Sequence, residues 1–182
     1  MMQSSTSSSL TDRLMGVATL KAPVYKDIAH DANAMQPALI IVIVTAIVSG
    51  LIGGLIGGGG IVFGLISAVL GVLLGWVVGS WLTAFVAKTV FKGETNTSEM
   101  MRVRGHAYIF QIANIIPIIG PIIAIVLGII ANVLAIREAS GLDTTKSILT
   151  AIIVGVIVAV VTTVILGIVG VGAAVTNGAL NR

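Results

Sequence analysis

The chain has 182 residues, of which 57% are hydrophobic and only 9% are charged, and its net charge is +3. Soluble domains carry about 25% charged residues, so this composition excludes a water-soluble enzyme. The charges are also unevenly spread, because residues 32–87, 105–136 and 147–181 contain no Asp, Glu, Lys or Arg. A membrane-spanning helix needs about 20 predominantly apolar residues. The sequence therefore predicts an all-α protein of the polytopic helical membrane class.

The first 35 residues precede the first apolar run of spanning length. Residues 1–9 are rich in serine and are predicted to be disordered, since they have little to bury. Residues 10–35 predict two short amphipathic helices that break at Pro23. The apolar residues of the second helix recur at helical spacing: Val24, Tyr25, Ile28, Ala29, Ala32 and Met35. Two interpretations stay open, namely interfacial helices lying on the membrane and a lid packed on the protein's own spans.

Five apolar segments predict a transmembrane bundle over residues 36–172, followed by a short tail at 173–182. The predicted spans are 37–57, 61–90, 99–117, 121–137 and 146–170, with a glycine turn at 58–60. Two prolines and a glycine at 117–121 interrupt a continuous helix, which predicts a hairpin formed by the third and fourth helices. About ten residues separate His106 from Pro117, too few for an α-helix to cross the hydrocarbon. The third helix is therefore predicted to be re-entrant or to cross with Arg102 and Arg104 snorkelling to the interface.

The positions of the basic residues predict the orientation of the bundle. With five spans, Arg182 lies on one side and the other nine basic residues on the opposite side: Arg13, Lys21, Lys26, Lys88, Lys92, Arg102, Arg104, Arg137 and Lys146. The positive-inside rule then places the amino terminus in the cytoplasm and the carboxyl terminus outside. The expected location is a prokaryotic cytoplasmic membrane, or an ER or Golgi membrane if the protein is eukaryotic.

Small residues recur at every fourth position in three of the predicted spans. The glycines of these ridges are Gly71, Gly75 and Gly79 in the second span, Gly128 in the fourth, and Gly155 and Gly167 in the fifth. Small residues let helix backbones approach closely in lipid and gain dispersion contacts. The ridges therefore predict helix packing, either within one bundle or between two copies of the chain.

Polar residues are few inside the predicted spans. Glu99 is the first residue of the third span, and no Asp or Glu lies in the interior of any span, which argues against a proton- or sodium-coupled transporter. Gln111, Asn114 and Asn132 are predicted to form intramembrane polar contacts, either as hydrogen bonds between helices or as the lining of a path. The chain has no cysteine and no catalytic, phosphate-loop or metal-binding motif. We therefore expect no catalytic residue, no metal, no cofactor and, because the basic residues are thinly spread beside spans, no nucleic-acid partner.

Three short stretches resemble the Yip-type domain, the membrane domain of Ypt/Rab-interacting proteins. They are residues 99–108 (EMMRVRGHAY), 116–120 (IPIIG) and 135–146 (AIREASGLDTTK), and residues 24–31 (VYKDIAHD) resemble the segment before the first span of bacterial members. The resemblance implies five spans, a cytoplasmic amino terminus and, in eukaryotic members, membrane trafficking and small-GTPase binding. This sequence lacks their long acidic or proline-rich cytoplasmic region, so it resembles a prokaryotic member, for which GTPase binding is not expected.

The leading hypothesis is a non-enzymatic scaffold that organises the membrane, or acts in a trafficking-like role, through its cytoplasmic face. The candidate interaction surface is the loop at 88–104 with nearby charges, and its residues are Arg102, Arg104, His106, Arg137, Glu138 and Lys146. Its expected partners are the lipid bilayer and another membrane protein or a second copy of the chain. The alternative is a small channel or uncoupled transporter, with Gln111, Asn114 and Asn132 lining the path.

Overall fold

The computed structural model describes residues 9–56, 60–116 and 118–180, with side chains as far as residue 164. Every regular element in these ranges is helical. The elements are α1 (Leu10–Ala18), α2 (Ala22–His30), a 3₁₀ turn (Ala32–Ala34), α3 (Met35–Ile56), α4 (Ile61–Thr89), α5 (Thr97–Ala107), a 3₁₀ helix (Tyr108–Ile115), α6 (Ile119–Ser140) and α7 (Thr144–Leu180). The disorder predicted for residues 1–8 and the glycine turn predicted at 58 and 59 lie outside the described residues.

Four of the described helices are long and apolar enough to cross a membrane. They cover Ala32–Ile56, Ile61–Thr89, Ile119–Ser140 and Thr144–Val164. Their outer faces expose large apolar side chains, such as Leu55, Phe63 and Ile122. Continuous apolar surface of this extent requires lipid around it, so the chain is a multi-pass integral membrane protein. The first, second, fourth and fifth predicted spans correspond to these helices, although α7 continues to Leu180, through residues predicted to be a tail.

The third predicted span is not one α-helix. Asn96 caps α5, because its side chain accepts from the Glu99 N–H and the Glu99 carboxylate accepts from the Asn96 N–H. After Ala107 the chain tightens into a 3₁₀ helix that ends at Ile115. The segment from Thr97 to Ile115 is therefore shorter in residues than the other candidate spans, and five crossings do not follow from helix length alone.

The last helices begin and end where the sequence indicates. Pro121 lies in the first turn of α6, where a proline is tolerated. Gly141 ends α6 with φ +65° in the left-handed region. The Asp143 side chain accepts from the Lys146 N–H at 2.9 Å and so caps α7. Gly141 and Asp143 thus confirm the predicted ends of these two helices.

The connection between α4 and α5 meets the turn between α6 and α7 at one end of the bundle. The Glu94 N–H donates to the Ser140 carbonyl oxygen at 2.9 Å. Gly93 lies against Ser140 and Leu142 so closely that an added Cβ would stand 3.0 Å from the Ser140 Cβ. We call this end, formed by residues 88–96 and 137–146, the charged end.

The two amino-terminal helices form a lid on α5 and α6. Tyr25, Ile28 and Ala29 of α2 are fully buried. They belong to one apolar core with residues of α5 and α6, including Met100 and Ile136. The apolar face of α2 is thus covered by protein and is not available to lipid. This packing supports the lid interpretation, and the interfacial interpretation stays a prediction.

Polar contacts fasten the lid at both of its helices. Ser9 and Asp12 form a capping box that starts α1. The Tyr25 hydroxyl donates to the Val17 carbonyl oxygen at 3.2 Å, and burial raises the pKa of Tyr25. Arg13 forms an ion pair with Asp31, and the hydrogen bond from Arg13 lowers the pKa of that carboxyl. Asp31 is therefore ionised at neutral pH and joins the start of α1 to the end of α2.

The closest approach between two long helices is made by glycines of α3 and α4. A Cβ built on Gly64 would lie 2.5 Å from the Gly50 carbonyl oxygen and 2.6 Å from the Gly54 Cα. A Cβ built on Gly50 would lie 2.8 Å from the Leu65 Cα. Only glycine fits at these positions, and the contact is the small-residue packing used between helices in lipid.

Trp76 joins α3, α4 and α5 near the middle of the bundle. Its ring packs with Ala38 and Val42 in a second apolar cluster. Its Nε1–H donates to the Met101 carbonyl oxygen at 2.9 Å, so the buried indole has its hydrogen bond satisfied. Gly105 sits beside this contact, with no room for a Cβ between it and Ala38. These contacts fix how α5 lies against the first two long helices.

Candidate functional site

Two of the predicted interaction residues on α5 are used inside the protein. Arg102 donates from Nε and Nη2 to the Ala29 carbonyl oxygen, at 2.9 and 2.6 Å. His106 is fully buried, and its Nδ1 lies 2.8 Å from the Arg102 carbonyl oxygen, so Nδ1 carries the proton of this hydrogen bond. The His106 Nε2 has no hydrogen-bond partner among the described residues. Arg102 holds the lid and His106 lies beneath it, so the structure does not place these two side chains on an interaction surface.

Arg104 faces a different part of the protein. Its Nη1 donates to the Thr83 hydroxyl at 2.9 Å, and Thr83 in turn donates to the Gly79 carbonyl oxygen at 2.6 Å. Gly79 makes room for the guanidinium, since an added Cβ would lie 3.0 Å from Nη1. Arg104 also lines a cavity of about 360 Å³ between the α5–3₁₀ segment and α6. The predicted packing residue Gly79 therefore contacts a charged side chain.

Two of the three predicted polar residues line the same cavity. Gln111 contributes from the 3₁₀ helix and Asn132 from α6, and Tyr108 completes the polar wall beside Arg104. Asn114 donates from Nδ2 to the Gln111 Oε1 at 3.0 Å. Positions three apart eclipse in a 3₁₀ helix, which is why these two side chains meet. The cavity brings Gln111 and Asn132 together next to a positive charge, and the channel interpretation stays a prediction.

The other predicted interaction residues lie together at the charged end. Arg137 donates from Nε to Glu138 at 2.8 Å and from Nη1 to the Thr144 hydroxyl at 3.3 Å. The Lys146 Nζ lies 3.5 Å from an Asp143 carboxylate oxygen. The hydrogen bond from the Lys146 backbone N–H lowers the pKa of Asp143. Side chains of opposite charge therefore pair at this end, Arg137 with Glu138 and Lys146 with Asp143.

A groove at the charged end joins these residues to the α4–α5 connection. It has a volume of about 500 Å³ and is lined by Lys92, Glu94, Asp143 and Lys146, with Phe91 and Leu142 as its apolar part. Lys92 lies in the left-handed backbone region with φ +61°. The backbone hydrogen bond from Glu94 to Ser140 joins the two chain segments that line the groove. The groove thus presents two positive and two negative side chains around a small apolar patch.

The glycines predicted to pack helices fall into different environments. A Cβ built on Gly71, Gly75 or Gly155 meets no described atom within 4 Å. These three glycines therefore do not lie at a close approach between described helices, and packing at them against a second copy stays a prediction. Gly128 lines the cavity, where an added Cβ would meet Gln111 Nε2 at 3.9 Å. Gly167 lies outside the residues whose surroundings are described.

Thr83 and Tyr108, which lie beside Arg104, were not predicted as site residues from the sequence. Tyr108 follows Arg104 by four residues, so helical spacing alone was enough to place it on the same face. Thr83 lies on another helix, and no local pattern connects it to Arg104. The described residues contain no group of three His, Asp or Glu side chains that could hold a metal ion.

Comparison with known proteins gives one family. Residues 16–166 match the family model of the Yip1 domain, a range that contains α2 to α6, most of α7 and the residues of both described cavities. No curated protein and no solved structure matches the chain.

Proposed function

The chain belongs to the Yip1 domain family, and on that premise we propose that it is a non-enzymatic membrane protein that recruits partners at its charged end. The observation that carries the proposal is the groove lined by Lys92, Glu94, Asp143 and Lys146. Side chains of both signs around an apolar patch suit a protein segment with complementary charges. The proposed location is a prokaryotic cytoplasmic membrane, and the proposed partner is a second membrane protein or a second copy of the chain.

The remaining surface offers less for recognition. The long helices present isoleucine, leucine and valine to lipid. Arg102 is bound to the lid, and His106 is fully buried. Arg137 and Glu138 form an ion pair with each other. The groove side chains that stay accessible are therefore the best candidates for a directional contact.

Reversing the lysine charges of the groove tests this proposal. We expect Lys92→Glu combined with Lys146→Glu to lose most of the partners recovered with the full chain from mild detergent, because complementary charges then repel. Quantitative mass spectrometry of the recovered proteins measures the loss. Lys26→Glu combined with Lys21→Glu is the matched control, since both lysines are exposed on the lid. Equal recovery from both double variants would contradict a role for the groove.

We further propose that the segment Thr97–Ile115 is the third of five crossings and forms a hairpin with α6. Eleven α-helical and eight 3₁₀ residues reach roughly 32 Å at rises of 1.5 and 2.0 Å, which matches a hydrocarbon core of about 30 Å. Gly105 lies against Ala38, and the Thr45 hydroxyl donates to the Tyr108 carbonyl oxygen at 3.4 Å. This pairing supports a segment that runs beside α3 in the same direction.

Single cysteines can test this topology because the chain has no native cysteine. With a cytoplasmic amino terminus, a membrane-impermeant maleimide should label Ile61→Cys and Ile116→Cys in intact cells. It should label Ser98→Cys and Thr145→Cys only after lysis. All four positions are exposed. Labelling at Ile61→Cys with protection at Ile116→Cys would instead mean a re-entrant segment and four crossings.

A further inference from the structure

Arg104 carries a positive charge that no described carboxylate neutralises. The ion pairs of the described residues use the carboxylates of Asp31, Glu138 and Asp143, which lie at the lid and at the charged end. Among the described residues, the Arg104 guanidinium has one hydrogen-bond partner, the Thr83 hydroxyl, to which Nη1 donates. A guanidinium has five N–H donors, so four of them have no hydrogen-bond partner among the described residues, and Arg104 also lines the cavity. An arginine held inside a membrane protein without a counter-ion indicates a functional site.

The cavity adds neutral donors and no acid. Its lining contains Arg104, Tyr108, Gln111 and Asn132 and no Asp or Glu. Asn114 occupies the Gln111 Oε1, which leaves the Gln111 Nε2 to donate. That Nε2 stands 3.9 Å from where a Cβ on Gly128 would lie, on the cavity wall. The site therefore gathers N–H donors around one unpaired cation, which is the environment that an anionic oxygen group requires.

The mouth of the cavity lies on a lipid-facing surface. Ile125 and Ile129 of α6 line it and are each 60% exposed. They belong to the apolar outer face of a helix long enough to cross the membrane. A ligand that enters here reaches the polar wall past isoleucine side chains, so an acyl chain can remain against α6 while a polar group binds inside.

Arg104 is bound near the charged end of α4. The α4 helix has 29 residues, about 43 Å, which exceeds a hydrocarbon core of about 30 Å by roughly 13 Å. Its polar side chains near the charged end, Ser80, Thr83, Lys88 and Thr89, all fall within its last ten residues. Thr83, which binds Arg104, thus lies about 9 Å from the end of α4, nearer the charged end than the middle of the helix.

We propose that this cavity binds the phosphate group of an anionic phospholipid, with Arg104 as its counter-ion and Gln111 and Asn132 as neutral donors. Arginine binds phosphate through two parallel N–H groups, which gives orientation as well as affinity. The lining has no carboxylate for a choline or ethanolamine ammonium. The cavity therefore selects a lipid with net negative charge, such as phosphatidylglycerol, over a zwitterionic one. This inference does not depend on the groove at the charged end.

Native mass spectrometry of the full chain in detergent, titrated with dioleoylphosphatidylglycerol or dioleoylphosphatidylcholine, tests the site. We expect one tightly retained phosphatidylglycerol. Arg104→Gln should weaken its binding by about tenfold or more, because a charge-assisted hydrogen bond is lost. Lys88→Gln, which removes one exposed charge from the same end, should change it by less than about twofold. Equal losses in the two variants, or equal retention of both lipids by the native chain, would overturn the proposal.

A second pair of variants keeps Arg104 in place. Gly128→Leu fills the cavity, where its Cβ meets only Gln111 Nε2, and should also abolish retention of the lipid. Gly155→Leu adds the same side chain in open space on α7 and should leave retention unchanged. Unchanged binding by a folded Gly128→Leu protein would overturn the assignment to this cavity.

A titration with inorganic phosphate tests whether the ligand of the cavity is a lipid phosphate or free phosphate. We expect millimolar inorganic phosphate neither to displace phosphatidylglycerol nor to raise the melting temperature of the lipid-free chain. Displacement together with a melting shift that disappears in Arg104→Gln would assign the cavity to free phosphate and would overturn the lipid proposal.

Discussion

Gly64→Leu is expected to destabilise the protein by about 3 kcal/mol or more, because overpacking here has no flexible neighbour that can yield. The new Cβ would lie 2.5 Å from the Gly50 carbonyl oxygen and 2.6 Å from the Gly54 Cα, and both are backbone atoms of α3. The α3 and α4 helices would have to move apart where their backbones now touch. Thermal unfolding in detergent, followed by circular dichroism, measures the loss.

The control for this change lies on the same helix. Gly75→Leu adds an identical side chain where no described atom lies within 4 Å of the new Cβ, so it should cost less than about 0.5 kcal/mol. The spacing of the ridge alone predicts a larger cost at Gly75. Equal melting temperatures for the two variants would contradict the close approach at Gly64, and a large loss at Gly75 would indicate that a second copy covers it.

Arg102→Ala is expected to release the lid at a cost of about 1.5–3 kcal/mol, the range for hydrogen bonds from a charged group. Its Nε and Nη2 both donate to the Ala29 carbonyl oxygen near the end of α2, where a cation also complements the helix dipole. Hydrogen exchange of the amides at residues 22–30 should accelerate by about tenfold or more. Arg102→Lys should give an exchange rate between those of the native chain and Arg102→Ala, because lysine keeps the charge but cannot donate two N–H groups in the fixed geometry of a guanidinium.

Lys26→Ala provides the matched control for the lid. Lys26 lies on the exposed face of α2, opposite the side that packs on α5 and α6. Its removal should leave the exchange of residues 22–30 unchanged. Protection that survives in Arg102→Ala would mean that the apolar core formed by Tyr25 and Ile28 holds the lid without the arginine.

Sequence pattern predicted most helices because each long span is a continuous apolar run with a glycine, proline or cap at its end. Gly141 and Asp143 show how well such signals place an end. The same pattern could not separate a lid from an interfacial helix, since both require one apolar face on α2. It placed Arg102 and His106 on a surface because their neighbours in space, such as Ala29, are distant in sequence.

Packing positions were harder to predict for a related reason. A small residue at every fourth position marks a face that can be approached, and it does not tell which partner approaches it. On α4 the ridge through Gly71 and Gly75 is open, whereas the close contact is made by Gly64. The cavity beside Arg104 was not predictable either, because Thr83, Gln111 and Asn132 come from three separate elements.

The lid also imposes an order on the assembly of the protein during synthesis. The Ala29 carbonyl oxygen accepts from Arg102, which lies 73 residues later in the chain and is synthesised after it. Ile28 belongs to the same apolar core as Ile136, which is later still. The apolar face of α2 therefore has no protein partner while α3 and α4 enter the membrane. During that interval the membrane surface is the nearest apolar phase for an amphipathic helix. We therefore expect α2 to lie at the membrane surface in the nascent chain, before it packs as the lid of the finished protein.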